Sequence, residues 1–358
     1  MKKLISAALS LTLLLALVTG CTRQVVVVVS PTPSEAPQIQ TPVESAAPAP
    51  VPAEGAVKTG LSMVTGVSSS KDATAEADGT AQTDIALVAV TVDDDGVITG
   101  CVIDAIQAKI AFSNEGKITT DLATEFASKN ELGEAYGMKK ASSIGKEWNE
   151  QAAAMAQYAV GKTVEELKGI AVNESGAPTD ADLASSVTLY IGSFVSGIEA
   201  AVNNAAHLGA QAGDKLALTS VTTMAKSKDA GEKDGQAQAY ATVAAVTLNG
   251  DTVTSCYIDA VQANVNFDAK GAITTDLTAP IASKNELGDA YGMRGASSIG
   301  KEWNEQAAGF SAYVTGKTVS EVAGIAVGES GAPTDADLAA SVTVGIGDFQ
   351  ALIEKAAD

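Results

Sequence analysis

The feature that most limits what this chain can fold into is a long internal repeat. SKNELGEAYGMKKASSIGKEWNEQAA begins at Ser128 and SKNELGDAYGMRGASSIGKEWNEQAA begins at Ser283, and the two segments differ at three positions. The offset is 155 residues from Cys101/Cys256 through Ser175/Ser330 to the end. Upstream it slips by one, where VTVDDDGVI faces the shorter VTLNGDTV. A length change confined to an Asp/Gly-rich stretch is what a hairpin tip tolerates. A period this long predicts two tandem domains rather than a solenoid. The expected boundaries are residues 58–205 and 206–358.

Within each copy the periodicity changes from strand to helix. Asp84 to Val92, the DDDG turn and Val97 to Ala105 predict a β-hairpin. Ala108 to Phe112, SNEG and Lys117 to Thr120 predict a further hairpin. From Ser143, the residues Ile144, Trp148, Ala152, Met155 and Ala159 fall at helical spacing and end at Gly161. Thr163-Val-Glu-Glu166 and Thr318-Val-Ser-Glu321 read as capping boxes of a second, short helix. Ser186 to Ile191 reads as a strand, and Phe194, Ile198, Ala201 and Val202 as the inner stripe of a last helix. Strands followed by helices predict an α+β fold, with helices packed on an antiparallel sheet in each copy.

Ahead of the repeats, Met1-Lys2-Lys3, an apolar run from Leu4 to Val18 and Leu17-Val18-Thr19-Gly20-Cys21 match a secretory signal ending in a bacterial lipobox. The run is shorter than the roughly 20 residues a membrane span needs. Residues 1–20 are therefore expected to be removed and Cys21 lipidated, which places the protein outside the cytoplasm on the bacterial membrane. Residues 21–57 carry seven of the ten prolines and read as an extended stalk. The five valines ending at Val29 interrupt that composition, and both a place at the lipid interface and an edge strand are open for them.

The formal charge of −20 makes nucleic acid and anionic lipid headgroups poor partners. A single histidine, His207, leaves no zinc site or Ser/His/Asp triad in each copy. GMKKASSIGKE has the wrong spacing for a phosphate loop, and Glu147 stands where a magnesium-binding Ser or Thr would be needed. Cys101 and Cys256 occupy matching places and read as small hydrophobes on strands. An interdomain disulfide would need the two sheets face to face, which nothing in the sequence suggests.

Two motifs remain for ligand chemistry. Asn130, Tyr136, Met138, Ser143 and Trp148 recur as Asn285, Tyr291, Met293, Ser298 and Trp303. In a chain only 4% aromatic, this concentrates flat, polarisable groups where a planar ligand could sit. Packing of Trp148 as a core anchor is the competing reading. The free amides of the first helical turn, beside Tyr136 and Met138, are expected to suit a phosphate or other anion. The second motif is AVNESGAPTDADLASSVT, which recurs as AVGESGAPTDADLAASVT, with Thr179 and Thr334 expected to cap a short helix.

The hairpin VAVTVDDDGVITGCVIDA, the Gly161-Lys162-Thr163 segment, the S-G-A motif and the terminal amphipathic helix together resemble the FMN-binding domain of bacterial exported flavoproteins. The resemblance implies an FMN cofactor joined to threonine through a phosphoester bond, and a role in extracellular electron transfer with a redox partner. Pro178 and Pro333 stand where that family has its acceptor threonine, so attachment would fall on Thr179 and Thr334. Two other readings stand beside it: a structural or adhesive cell-envelope module without cofactor, and a solute-capturing lipoprotein.

Overall fold

The computed structural model describes residues 55–358. The signal peptide, Cys21 and the stalk up to residue 54 lie outside the described residues. Among the described residues no helix is long and apolar enough to cross a membrane.

The first half forms strands β1 (Lys58–Gly66), β2 (Gly79–Val92) and β3 (Ile98–Phe112), then helices α1 (Lys129–Leu132), α2 (Trp148–Ala159), α3 (Val164–Lys168), α4 (Ala181–Ala184) and α5 (Gly192–Asn203). The second half repeats the order: β4 (Lys215–Thr223), β5 (Gly235–Asn249), β6 (Thr252–Phe267), α6 (Lys284–Leu287), α7 (Trp303–Val314), α8 (Val319–Ala323), α9 (Ala336–Ala339) and α10 (Gly347–Ala357). Each half holds one three-stranded antiparallel sheet, ordered β1-β2-β3 and β4-β5-β6. The offset slip sits at the hairpin tip. Val92 pairs with Ile98 across a five-residue connection, whereas Asn249 pairs with Thr252 across Gly250-Asp251.

Each strand alternates between two apolar faces, so each sheet must be covered twice. Helices α2 and α5 cover the outer face of the first sheet, over Val88, Val90 and Ile103. Helices α7 and α10 do the same for the second, over Ala244, Val246 and Ile258. The inner faces cover each other. Leu61, Met63, Ile85, Leu87 and Ile106 of the first sheet pack on Ala241, Val243, Ala245 and Val261 of the second. Further along, Phe112 and Phe267 stack with centroids 4.2 Å apart. Gly79 and Gly235 make room for those rings, since a Cβ at either would stand 2.5 Å from one of them.

The α+β class and the antiparallel sheets agree with the sequence reading. The two halves pack on one another, so that the described residues 55–358 lie within one compact unit. The sheets lie face to face, contrary to expectation. Cys101 and Cys256 nonetheless stay free, because both point to the outer, helix-covered faces. Burial pushes both thiols up to about 12. The layers are sealed by reciprocal bonds: Ala73 N donates to Gly271 O and Ala230 N to Gly116 O, while Ile273 N and Ile118 N donate to Asp72 and Asp229.

Other expectations need correction. The body begins before residue 58, since Val57 is buried and its N–H donates to Ala210 O. The β-former-rich Ala108–Phe112 is the end of β3 rather than a separate strand, and only a bridge from Phe112 to Ile118 follows it. Ser186–Ile191 is not a strand. Its backbone instead bonds locally, with Ser186 N and Val187 N donating to Leu183 O, Ile191 N to Gly176 O and Thr188 N to Gln151 Oε1, and Val187 is buried as a loop pin. The residue that caps α4 is Asp180, and Asp335 caps α9, while Thr179 and Thr334 donate to carbonyls. Both Thr163 and Thr318 do form capping boxes.

Because each half made alone would expose its apolar inner face, residues 55–205 and 206–358 made separately should each self-associate. Produced together, they should purify as a 1:1 complex by size-exclusion chromatography with light scattering. A monomeric, folded single half would contradict this.

Candidate functional site

The repeated stretch ASSIGKEWNEQAA does not start a helix at Ser143. Residues 142–147 form a turn through Gly145, whose φ is 63°, and the helix begins at Trp148 with Glu147 as its N-cap. The Glu147 side chain is buried and turns back to accept Met138 N at 2.7 Å and Lys139 N at 2.8 Å. Glu150 in turn accepts Glu147 N at 2.7 Å. The second half repeats this with Glu302, Met293 N and Arg294 N. A carboxylate at a helix N-terminus is stabilised by the free amides and the dipole. The anion expected at this entrance is thus the chain's own, which removes the phosphate subsite.

The other residues singled out from the sequence divide clearly. Asn130 N donates to Asp104 and its Nδ2 to Ile103 O, so it fixes α1 to β3, and Asn285 does the same with Asp259 and Ile258. Trp148 meets Phe194 edge-on at 5.9 Å, and Trp303 meets Phe349 at 5.8 Å. Tyr136 and Met138 pack partly buried against the first outer core, and Tyr291 and Met293 against the second. Ser143 and Ser298 are exposed. Their neighbours Ser142 and Ser297 carry the bonds, each accepting from Nε2 of Gln151 or Gln306. Thr179 and Thr334 are exposed on the loops before α4 and α9, and neither lines a cavity described below.

Each half keeps a cleft at the open end of its outer sheet face. In the first half the cleft is about 430 Å³ and is lined by Val64, Asp84, Lys129, Trp148, Ser193 and Phe194, among others. Val64 is 61% exposed there. Lys129 Nζ lies 4.6 Å from the Tyr136 ring centroid and 4.9 Å from that of Trp148, a cation held on two aromatic faces. Asp84 accepts from Gln82 Nε2 and Gln107 Nε2. In the second half Tyr240 pairs with Gln262 as Asp84 pairs with Gln107. Its ring lies 4.7 Å from Lys284 Nζ, which also meets Tyr291 and Trp303, and its hydroxyl is 3.0 Å from that nitrogen. Lys284 is only 4% exposed, and desolvation pushes its ammonium down to about 8. The remaining groove, lined by Gln238, Tyr240, Lys284 and Asp348, no longer reaches Trp303 or Phe349.

A second pair of cavities lies beneath α2 and α7. The larger, about 510 Å³, is lined by His207, Cys256, Asn285, Asn304, Ser311 and Thr315, among others. Asn304 Oδ1 and Ser311 Oγ have no hydrogen-bond partner there, nor does Asn149 Oδ1 in the first-half counterpart. His207 itself is engaged at the rim, with Nε2 3.0 Å from Asp94, which also pairs with Lys58 at 2.7 Å. Among the described residues no cluster of three His, Cys, Asp or Glu side chains could hold a metal ion.

Sequence reasoning missed Asp84, Phe194 and Tyr240 as cleft residues, because strand alternation does not say which outer positions a helix leaves uncovered. It also missed Asp104 and Asp259, which are buried beside α1 and α6 and pushed up to about 6 by desolvation. Compared with protein-family models, curated proteins and solved structures, the chain gives no match in any of the three.

Replacing Glu147 with Ala should cost about 3 kcal/mol, since two backbone amides lose a charged acceptor; chemical denaturation measures this, and E147Q should recover part of it. Asp104 and Asp259 bind protons in the folded state at a higher pH than in the unfolded one. Their contribution to stability therefore rises as pH falls from about 6 towards the ordinary value of 3.8. The melting temperature of the wild type relative to D104N/D259N should accordingly increase between pH 7 and pH 5. A difference that is flat or falls over that range would contradict the assignment.

Proposed function

We propose that the protein is an extracytoplasmic lipoprotein, anchored to the bacterial membrane through Cys21 and displayed on its Pro-rich stalk, with two copies of one ligand-binding domain. The observation that carries this reading is the first-half cleft, where a cation backed by two aromatic rings opens beside apolar strand residues and Trp148. Such a cleft suits a small planar molecule, bound and not turned over: flat apolar walls give affinity, and one charged group orients the ligand. The isoalloxazine ring of FMN or of another planar redox cofactor belongs to that class, and with it a part in extracellular electron transfer.

The residues fit the ring portion of FMN better than its phosphate. The helix entrance is filled by Glu147, and Thr179 lies on an exposed loop outside the cleft. Binding without a phosphoester bond to threonine is therefore the form of the flavin reading that the geometry supports.

A structural module without ligand is favoured for the second half by one observation, Tyr240 lying across its Lys284. Mature lipoprotein made in a bacterial host should carry the diacylglycerol mass on Cys21, and titrated FMN should quench the fluorescence of Trp148 with no covalent adduct in the intact mass. If FMN leaves the fluorescence of both tryptophans unchanged, the flavin reading gives way to the module. A flavin adduct lost on T179A and T334A would reinstate threonine attachment.

A further inference from the structure

The two clefts share a lysine, a tyrosine and a tryptophan, and differ in what stands beside them. In the second half the Tyr240 phenol occupies the inner part of the cleft, with its ring beside the Lys284 ammonium and its hydroxyl within hydrogen-bond distance of it, and the groove of about 490 Å³ that remains does not reach Trp303. In the first half the matching strand position is Asp84, which is too short to fill that volume. Lys129, Trp148, Phe194 and Val64 are left lining open space. The second half thus shows, with a side chain of its own, what the common framework accommodates.

We propose that the first-half cleft binds a small neutral phenol, seated as Tyr240 is seated in the second half, its hydroxyl accepting from Lys129 Nζ and donating to the Asp84 carboxylate. Lys129 alone would equally favour an aromatic carboxylate. Asp84 on the same wall decides against one, because it repels a second anion and accepts a hydrogen bond from a hydroxyl. The ring would lie among Trp148, Phe194 and Val64, which replace the contacts that Trp303 and its neighbours give Tyr240. This rests on the reading of the first cleft as a ligand site, and narrows it to one chemical class.

The chain carries one tryptophan per half, so the two indole N–H signals of ¹⁵N-labelled protein report on the clefts separately. Titrated p-cresol should shift the Trp148 signal and leave that of Trp303 in place. Toluene, which lacks the hydroxyl, should bind about tenfold more weakly or worse, and benzoate should not bind. D84Y, which installs the side chain the second half already holds, should fold and abolish the p-cresol response. Y240D should open the second cleft, so that both indole signals move. If Y240D does not fold, D84Y decides alone. K129M should reduce p-cresol to the level of toluene. Equal binding of p-cresol and toluene, or an undiminished response in D84Y, would overturn the proposal. If p-cresol is silent while FMN shifts Trp148, the cleft is a site for another chemistry and only the phenol assignment falls. If both are silent, the reading of the cleft as a ligand site falls too.

Discussion

Everything in the fold depends on each sheet having two apolar faces and only one set of helices to cover them. A three-stranded sheet with helices on one side would leave Leu61, Ile85, Leu87 and Ile106 in water, and burying each such side chain is worth about 1.5–3 kcal/mol. The other half supplies the missing cover. Its inner residues are smaller, with Ala241, Ala245 and Val261 facing the larger leucine and isoleucine side chains, so the layers close without excess volume. Helix, sheet, sheet, helix is the resulting order, and it places the two clefts on the outer faces of the sheets.

How much of this was legible follows from the nature of each signal. The hairpin around DDDG, the helix that carries Trp148, Ala152 and Met155, though not its start, and the last helix with Phe194 and Ile198 are visible because their apolar spacing is local. The face-to-face sheets are not, since strand alternation with small residues on both faces does not announce that the second face is buried by protein. The segment Ser186–Ile191 misled for a related reason: β-formers suit a strand, and a side-chain amide from Gln151 took the backbone bond that a ladder would have used. The Gly-punctuated loop before α2 concealed Glu147 in the same way. Its role depends on Met138 and Lys139 amides that meet it only after the turn is made.

The halves differ where their surroundings differ. ASSIGKEWNEQAA is identical in both, and its first glutamate and its glutamine hold two loops against the start of the helix in the same way. Ile85 faces the partner sheet and is matched by Ala241. Asp84 and Tyr240, one position away on the outer face, set whether the cleft reaches the tryptophan. Adjacent strand residues thus carry separate constraints, assembly on one face and occupancy on the other.

The way the chain enters the body has a mechanical side. Ala56 bridges Gln211, with Val57 N donating to Ala210 O and Ala212 N to Gly55 O, so the first residues of the body are bonded to the connection between the halves. A load applied through the N-terminal segment is borne first by these two backbone bonds. It then passes into β1, which sits at the edge of the first sheet and against the second. Tension at that point would therefore be divided between the two halves rather than borne by the first sheet alone.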